Sequence, residues 1–354
     1  MTAQAGSSLA ARFRRLIAAT GPISLAHYMG EANARYYASR DPLGAAGDFV
    51  TAPEISQMFG ELIGLWLADI WLRAGSPESV HYVELGPGRG TLACDALRAM
   101  GRAGLTPPVH FVEGSAALRH VQLATVPQAE WHHDLSTLPE DGAILLVANE
   151  FLDALPVRQL VKTVQGWRER MVSVQEGRFV CVAGDRPMDA AVPAARREAE
   201  EGTILETCPA AAAVMREVAG RLARQGGAAL FVDYGHTAPR TGSTLQAVRA
   251  HRKVDPFADP GEADLTAHVD FAMLVGVAGE AGARWLGTVP QGAFLQALGI
   301  EARAQALVAA APAQAEAVRT ALERLVVPEQ MGELFKVMGL AGPSWPGGAG
   351  FATP

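Results

Sequence analysis

From Val80 onward, short apolar runs alternate with segments whose apolar residues recur at helical spacing, the pattern of βαβ units around a parallel sheet. Strands are expected at Val80–Leu85, Val109–Glu113, Glu130–His133, Ala143–Ala148 and Ala228–Val232, with helices at Thr91–Met100 and Ala116–Ala124 between the first pairs. Those helices have the length that a right-handed crossover requires. After Pro156 the rhythm breaks. Val157–Val164, Arg170–Gln175 and Arg178–Ala183 are strand-like pieces separated by Gly166 and Gly177, and they read as an antiparallel meander inserted before the next core strand. A polar, Ala-rich helix follows to Gln225 and ends at Gly226-Gly227. The C-terminal region offers a strand at Ala283–Val289, a helix around Gln305–Val326, a last strand at Leu334–Met338 and a Gly/Pro-rich tail expected to be loose. At the other end, Leu9, Phe13, Leu16 and Ile17 mark one face of a first helix stopped by Gly21-Pro22.

Composition narrows the function. The chain has 354 residues, enough for two domains or one α/β unit with a large extension. A net charge of −7 argues against a general nucleic-acid coat, whose affinity comes from Lys and Arg on phosphates. Cys94, Cys181 and Cys208 are odd in number and far apart, which offers neither a disulfide framework nor a paired-cysteine metal site and makes a reducing cytoplasm the default. The longest apolar run, Leu62 to Leu72, contains Asp69 and is about half of a ~20-residue membrane span, so it reads as a buried helix. Arg12, Arg14 and Arg15 precede any acidic residue and resemble an organelle transit segment, with the mitochondrial matrix as the alternative location. An amphipathic first helix accounts for the same residues.

The chemical centre is the turn Glu84-Leu85-Gly86-Pro87-Gly88-Arg89-Gly90-Thr91 at a strand-to-helix junction. A dinucleotide fingerprint needs its third glycine where this chain has Thr91, and no P-loop is present. What remains is an acid two residues before G-x-G-x-G, which is like the S-adenosylmethionine (AdoMet) turn of Rossmann-like methyltransferases. AdoMet carries an ammonium and a sulfonium, so the Glu84 carboxylate is favourable beside it. On that basis Glu84, Gly86, Pro87, Gly88 and Gly90 are candidate cofactor contacts. Glu113, 23 residues past Gly90, suits the ribose hydroxyls, and Asp134 suits the adenine amino group. A purely structural turn and solvated strand-end acids are the plain alternatives.

After the fourth strand comes Asn149-Glu150-Phe151-Leu152-Asp153-Ala154-Leu155-Pro156. In an open α/β sheet such a loop lies on the ligand side. It is not the N/D-P-P-Y/F loop of nucleic-acid amino methyltransferases. Two carboxylates three residues apart suit a cationic nucleophile such as a guanidinium, so Glu150 and Asp153, with Asn149, are the candidate catalytic residues; a helix N-terminal acidic pair is the alternative. Asp233-Tyr234-Gly235 ends the fifth strand on the same side. No metal is expected: His132 and His133 point to opposite faces of a strand, and His251 and His268 lack ligand spacing.

Beyond single motifs, the chain resembles the MidA family of AdoMet-dependent methyltransferases along about residues 9 to 340. The resemblance is carried by Gly21-Pro22-Ile23-Ser24 with Tyr28-Met29, Tyr36-Tyr37, Gly47 to Gln57 with Phe59-Gly60-Glu61, and the glycine turn. It continues through Asn149 to Pro156, Val232-Asp233-Tyr234-Gly235, Ala263 to Phe271 and Phe335-Lys336-Val337. Ala116 and Pro290 depart from it, standing where proline and threonine would be expected. The resemblance implies an α/β, Rossmann-like class I methyltransferase sheet with a helical N-terminal extension and an inserted antiparallel/helical subdomain. It also implies AdoMet as cofactor. Mitochondrial members assist respiratory complex I assembly by symmetrically dimethylating an arginine of a complex I subunit, so a protein arginine is the implied acceptor. In the Asp48–Glu61 segment, Thr51 is a plausible cap and Pro53 stands near a helix start. That segment could lie over the cofactor or merely extend the core. Thr51, Glu54, Asp233 and Tyr234 are taken as substrate-binding candidates.

The expected division is then an N-terminal extension over the cofactor at 1–79, a core at 80–156 and 227–340, a substrate-side insertion at 157–226 and a flexible tail at 341–354. Competing functions are an assembly chaperone that binds a client through a methyltransferase fold, a small-molecule methyltransferase with a closed apolar pocket, and, last, a dehydrogenase. The surplus length suits a bulky acceptor, and the acidic balance suits an arginine segment.

Overall fold

β1 (Val80–Leu85), β2 (Val109–Val112), β3 (Glu130–His132), β4 (Ala143–Asn149), β5 (Gly227–His236), β6 (Arg284–Pro290) and β7 (Phe335–Ala341) make one sheet in the order β6-β7-β5-β4-β1-β2-β3 in this computed structural model. The structure describes residues 8–39, 51–249 and 252–351. Strands β5, β4, β1, β2 and β3 run parallel, and β7 runs antiparallel to both β5 and β6. Strands β1, β2 and β4 are buried along almost their whole length because helices cover both faces, whereas the edge strand β3 is buried only at His132. The chain adds strands outward from β1 in one direction and from β4 in the other, so the order reverses between β1 and β4. A ligand crevice belongs at that switch point, beyond the carboxyl ends.

Helices α1 (Gln57–Arg73), α2 (Thr91–Arg102), α3 (Ala116–Thr125) and α4 (Pro209–Gln225) flank the strands in sequence. Alternate residues Val80, Tyr82, Phe111, Leu145 and Val147 share a core with Phe59, Leu62, Ile63, Trp66 and Leu67 of α1, as the period of two in a strand requires. A Cβ at Gly64 would sit 2.3 Å from the Ala96 carbonyl oxygen; glycine there lets α1 and α2 touch through their backbones. The helix expected at Leu62–Leu72 is buried on one side only, since Leu65 and Leu72 are exposed. Glu61 of α1 is buried and meets Arg98 of α2 at 3.1 Å and Arg303 at 2.7 Å. Burial pushes its carboxyl up, yet the hydrogen bonds from Arg303 and Arg98 outweigh that and hold its pKa below the ordinary value.

Three expectations need correction. The helix placed around Gln305–Val326 is two helices, Ile300–Ala310 and Ala315–Val326, because Pro312 has no N–H to continue the first and Ala311 before it lies at φ −140°. The tail is ordered as far as it is described: Trp66 Nε1 donates to the Ala349 carbonyl at 2.9 Å, and the Phe351 ring packs on Phe294 and Trp66. An aromatic anchor thus outweighs the Gly/Pro content. The division of the chain also differs from the one expected. One unit is Asp41–Asp153, Ala211–Ala238 and Val269–Pro354, and the other is Met1–Arg40, Ala154–Ala210 and Pro239–His268. The N-terminal extension is therefore shared between units, α4 goes with the sheet it covers, and 239–268 leaves the core for the inserted unit.

That second unit contains the expected meander. Arg158–Thr163, Gly166–Gln175 and Arg178–Pro187 pair antiparallel, extended by Ile23–Ser24 and Ile204–Thr207. A smaller antiparallel sheet joins Gln246–Arg249, Arg252–Val254 and Asp264–Thr266. The helix Leu9–Thr20 buries Leu9, Phe13 and Ile17 against Tyr28, Val172 and Phe179. The segment Gly47 to Val50 and His251 lie outside the described residues.

Candidate functional site

At the carboxyl end of β1 the chain turns on Gly86, Gly88 and Gly90, with φ of +61°, +55° and +80°. These are left-handed values that glycine alone adopts without strain. Gly90 is the N-cap of α2 and donates its N–H to the Pro87 carbonyl at 2.7 Å; Pro87 itself is buried. A Cβ on Gly86 would lie 2.8 Å from the Phe151 ring. Glu84 is buried beneath the turn and accepts the Tyr82 hydroxyl at 2.6 Å. Burial pushes its carboxyl up to about 8, more than the Tyr82 hydrogen bond lowers it.

Glu113, just past β2, is also buried and accepts the Ser115 N–H at 2.7 Å and Gln122 Nε2 at 3.2 Å. Burial raises its pKa despite those two hydrogen bonds and nearby Arg119. Gln122 was not anticipated. Fully buried on α3, it also donates to the Gly88 carbonyl at 2.8 Å and accepts from Trp131 Nε1 at 2.8 Å, so one amide ties the glycine turn to the acid of the next strand. The only sequence signal was a polar residue four places after Leu118, on the inward face of its helix. Asp134 is placed differently from the other acids. It is exposed and accepts the Ser136 N–H at 2.8 Å and the Ser136 hydroxyl, capping the short turn Leu135–Thr137; those hydrogen bonds hold its pKa down.

At the carboxyl end of β4, Asn149 donates through Nδ2 to Glu150 Oε1 at 3.2 Å, while its own Oδ1 is buried with no hydrogen-bond partner. Glu150 takes a φ of +49°. Its N–H is held by the Val232 carbonyl at 2.8 Å and its Oε1 accepts the Ala52 N–H at 3.3 Å. Asp153 is buried. Asp233, expected to touch substrate, instead grips this loop: Oδ2 accepts the N–H groups of Leu152 and Asp153 at 2.9 and 3.2 Å, and Oδ1 accepts the Tyr234 N–H at 3.0 Å. Burial first, then the charges of Asp153 and Glu150, push Asp233 well above the usual carboxylate range. Tyr234 is half-buried, edge-on to Phe335. Thr51 sits at the N-cap of the short helix Ala52–Ile55, but its side chain makes no cap bond there. Glu54 reaches the glycine turn, where it accepts the Thr91 hydroxyl and lies 3.9 Å from Arg89.

The switch point thus gathers a left-handed glycine turn, two buried acids, an unpartnered Asn149 oxygen and the carboxylates of Glu150 and Asp153. A buried acceptor without a donor is unfavourable unless a ligand supplies one, and buried acids suit a cationic ligand. The residues present fit AdoMet.

Residues 62–289 match a family described as "Putative S-adenosyl-L-methionine-dependent methyltransferase". The chain is 37% identical to "Protein arginine methyltransferase NDUFAF7, mitochondrial" of Danio rerio, over 90% of this chain and 83% of that protein. It is 38% identical to the Drosophila melanogaster homologue of the same name, over 94% and 84%. A solved structure, a "likely methyl transferase from Burkholderia thailandensis bound to S-adenosyl-homocysteine", superposes with a TM-score of 0.83 at 32% identity, covering 97% of this chain and 93% of that one.

Proposed function

We propose a protein arginine as the methyl acceptor, starting from the fact that this chain belongs to the family of S-adenosyl-L-methionine-dependent methyltransferases. The methyl donor is therefore AdoMet. When bound, it supplies a methyl group on a sulfonium, already activated for transfer to a nucleophile. Gly86, Gly88 and Gly90 would admit it close to the backbone, with Glu84, Glu113 and Asn149 as its polar partners. Asp134, exposed and engaged in its own cap, is at most a peripheral contact.

The observation that carries the acceptor proposal is the carboxylate pair on the β4 loop, Glu150 and Asp153, whose amides are held by the Val232 carbonyl and by Asp233 respectively. A guanidinium is planar and stays protonated in water. One carboxylate can hold it by paired hydrogen bonds, and the second can receive the proton that leaves nitrogen as the new N–C bond forms. Alignment and exclusion of water are then the main contributions of the chain. Asp233 acts through the loop rather than on substrate. Relatives named protein arginine methyltransferases support the acceptor class. A respiratory complex I subunit is our proposed client, following the MidA resemblance. We keep the cytoplasmic assignment, although those relatives are named mitochondrial: Arg12, Arg14 and Arg15 lie on a helix whose opposite face is buried. No helix among the described residues is long and apolar enough to cross a membrane.

Incubating the protein with labelled AdoMet and a lysate from a strain lacking it tests the acceptor. Label on an arginine of one protein band, located by mass spectrometry, is expected. Label confined to small molecules, or to a residue other than arginine, would refute the proposal.

A further inference from the structure

Three histidines left unconnected by sequence spacing stand in a row across the edge of the sheet. His81 lies on β1, His110 on β2 beside Val83, and His132 on β3 beside Val112. His81 Nδ1 and His110 Nε2 are 3.0 Å apart, and His110 Nδ1 and His132 Nε2 are 3.1 Å apart. The Glu130 carboxylate, on the same edge strand, lies 3.8 Å from His110 Nδ1. One ligand atom each from His110, Glu130 and His132 falls within 4.8 Å of the others.

We propose that His110, His132 and Glu130 form a binding site for a zinc-class transition metal, which staples edge strand β3 to β2. In a tetrahedral zinc site two ligand nitrogens lie about 3.3 Å apart, given metal–nitrogen distances of roughly 2.0–2.1 Å, and the pair here is at 3.1 Å. The outer contacts fit as well. A ligating imidazole needs an acceptor for its other N–H, and here His110 Nε2 faces His81 Nδ1 while His132 Nδ1 faces Thr137 Oγ1 at 2.9 Å. The two histidines are buried, whereas the Glu130 side chain is 70% exposed. That carboxylate can swing inward, and the solvent side is left for water as fourth ligand. The nearby guanidiniums of Arg119 and Arg221 are engaged by backbone carbonyls, Arg119 at Glu113 and Arg221 at Leu135 and Pro139. Two imidazoles and one carboxylate favour zinc over magnesium or calcium.

Calorimetric titration of the chelator-stripped full chain with Zn2+, and separately with Mg2+, tests the site. One equivalent of Zn2+ should bind with micromolar or tighter affinity, and Mg2+ should not bind. Glu130→Ala, at an exposed position, should weaken Zn2+ by at least about tenfold while leaving AdoMet affinity within twofold. His110→Gln should abolish stoichiometric binding; if that variant does not fold, Glu130→Ala decides alone. Absence of Zn2+ binding, or equal affinity in wild type and Glu130→Ala, would overturn the proposal and leave a hydrogen-bonded histidine row. Neither outcome depends on the identity of the methyl acceptor.

Discussion

The loops that leave β1 and β4 both need left-handed backbone, and they obtain it in opposite ways. After β1 the positive φ values fall on Gly86, Gly88 and Gly90; after β4 one falls on Glu150. A glycine accepts that conformation freely, whereas a glutamate there costs about 1–2 kcal/mol. The cost is met by the bond from the Glu150 N–H to the Val232 carbonyl and by Asp233 holding the amides of Leu152 and Asp153. The contrast separates two tasks. On the proposed function, the first loop would let a ligand approach its backbone by dispensing with side chains, and the second would keep a side chain despite the strain in order to present a carboxylate.

Substitutions can break that contrast. The largest effect is expected for Gly88→Val, because a β-branched residue cannot take a φ of +55° without strain. AdoMet affinity by calorimetry should fall by at least about a hundredfold in a chain that still folds by circular dichroism, and an unchanged affinity would remove the turn from the cofactor site.

The next effect is a pH dependence set by Glu84, whose carboxyl is raised to about 8 by burial. A cation beside it favours only the ionised form, so below that value binding must release a proton. AdoMet affinity should therefore climb up to about tenfold per pH unit and level off above about pH 8. Glu84→Gln should flatten the climb, and a profile that falls with pH would place Glu84 outside the cation's field.

Gln122→Leu should weaken AdoMet by about tenfold, the scale of losing one bridging amide and leaving buried acceptors unpaired. An effect as large as that of Gly88→Val would mean that the amide, not the glycines, shapes the turn. Least affected should be Asp134→Asn, within about twofold, because the exposed cap is replaceable by water. A larger loss would restore Asp134 as a direct cofactor contact.

Much of the sheet could be read from the sequence because buried parallel strands leave continuous apolar runs: the expected Val80–Leu85 matches β1 to the residue. The glycine turn was legible for a related reason, since few other functions place three glycines at alternate positions after a strand. Contacts between residues distant in sequence were not legible. Gln122 looked like one more helix residue, and Glu54 was assigned to substrate although it reaches the Thr91 hydroxyl. Asp233 lies within β5, which runs on to His236, and no sequence pattern announces that its oxygens are taken by amides such as that of Asp153, 80 residues away. The unit boundaries were missed because the second unit, with its two sheets, draws on three separate stretches of the chain.

The direct test of the central claim is to measure AdoMet affinity and methyl transfer to the labelled arginine side by side in Glu150→Gln. Affinity within about threefold of wild type, with transfer reduced by about a hundredfold or more, is the predicted result. Transfer at the wild-type rate, or a loss explained entirely by weaker AdoMet binding, would contradict it.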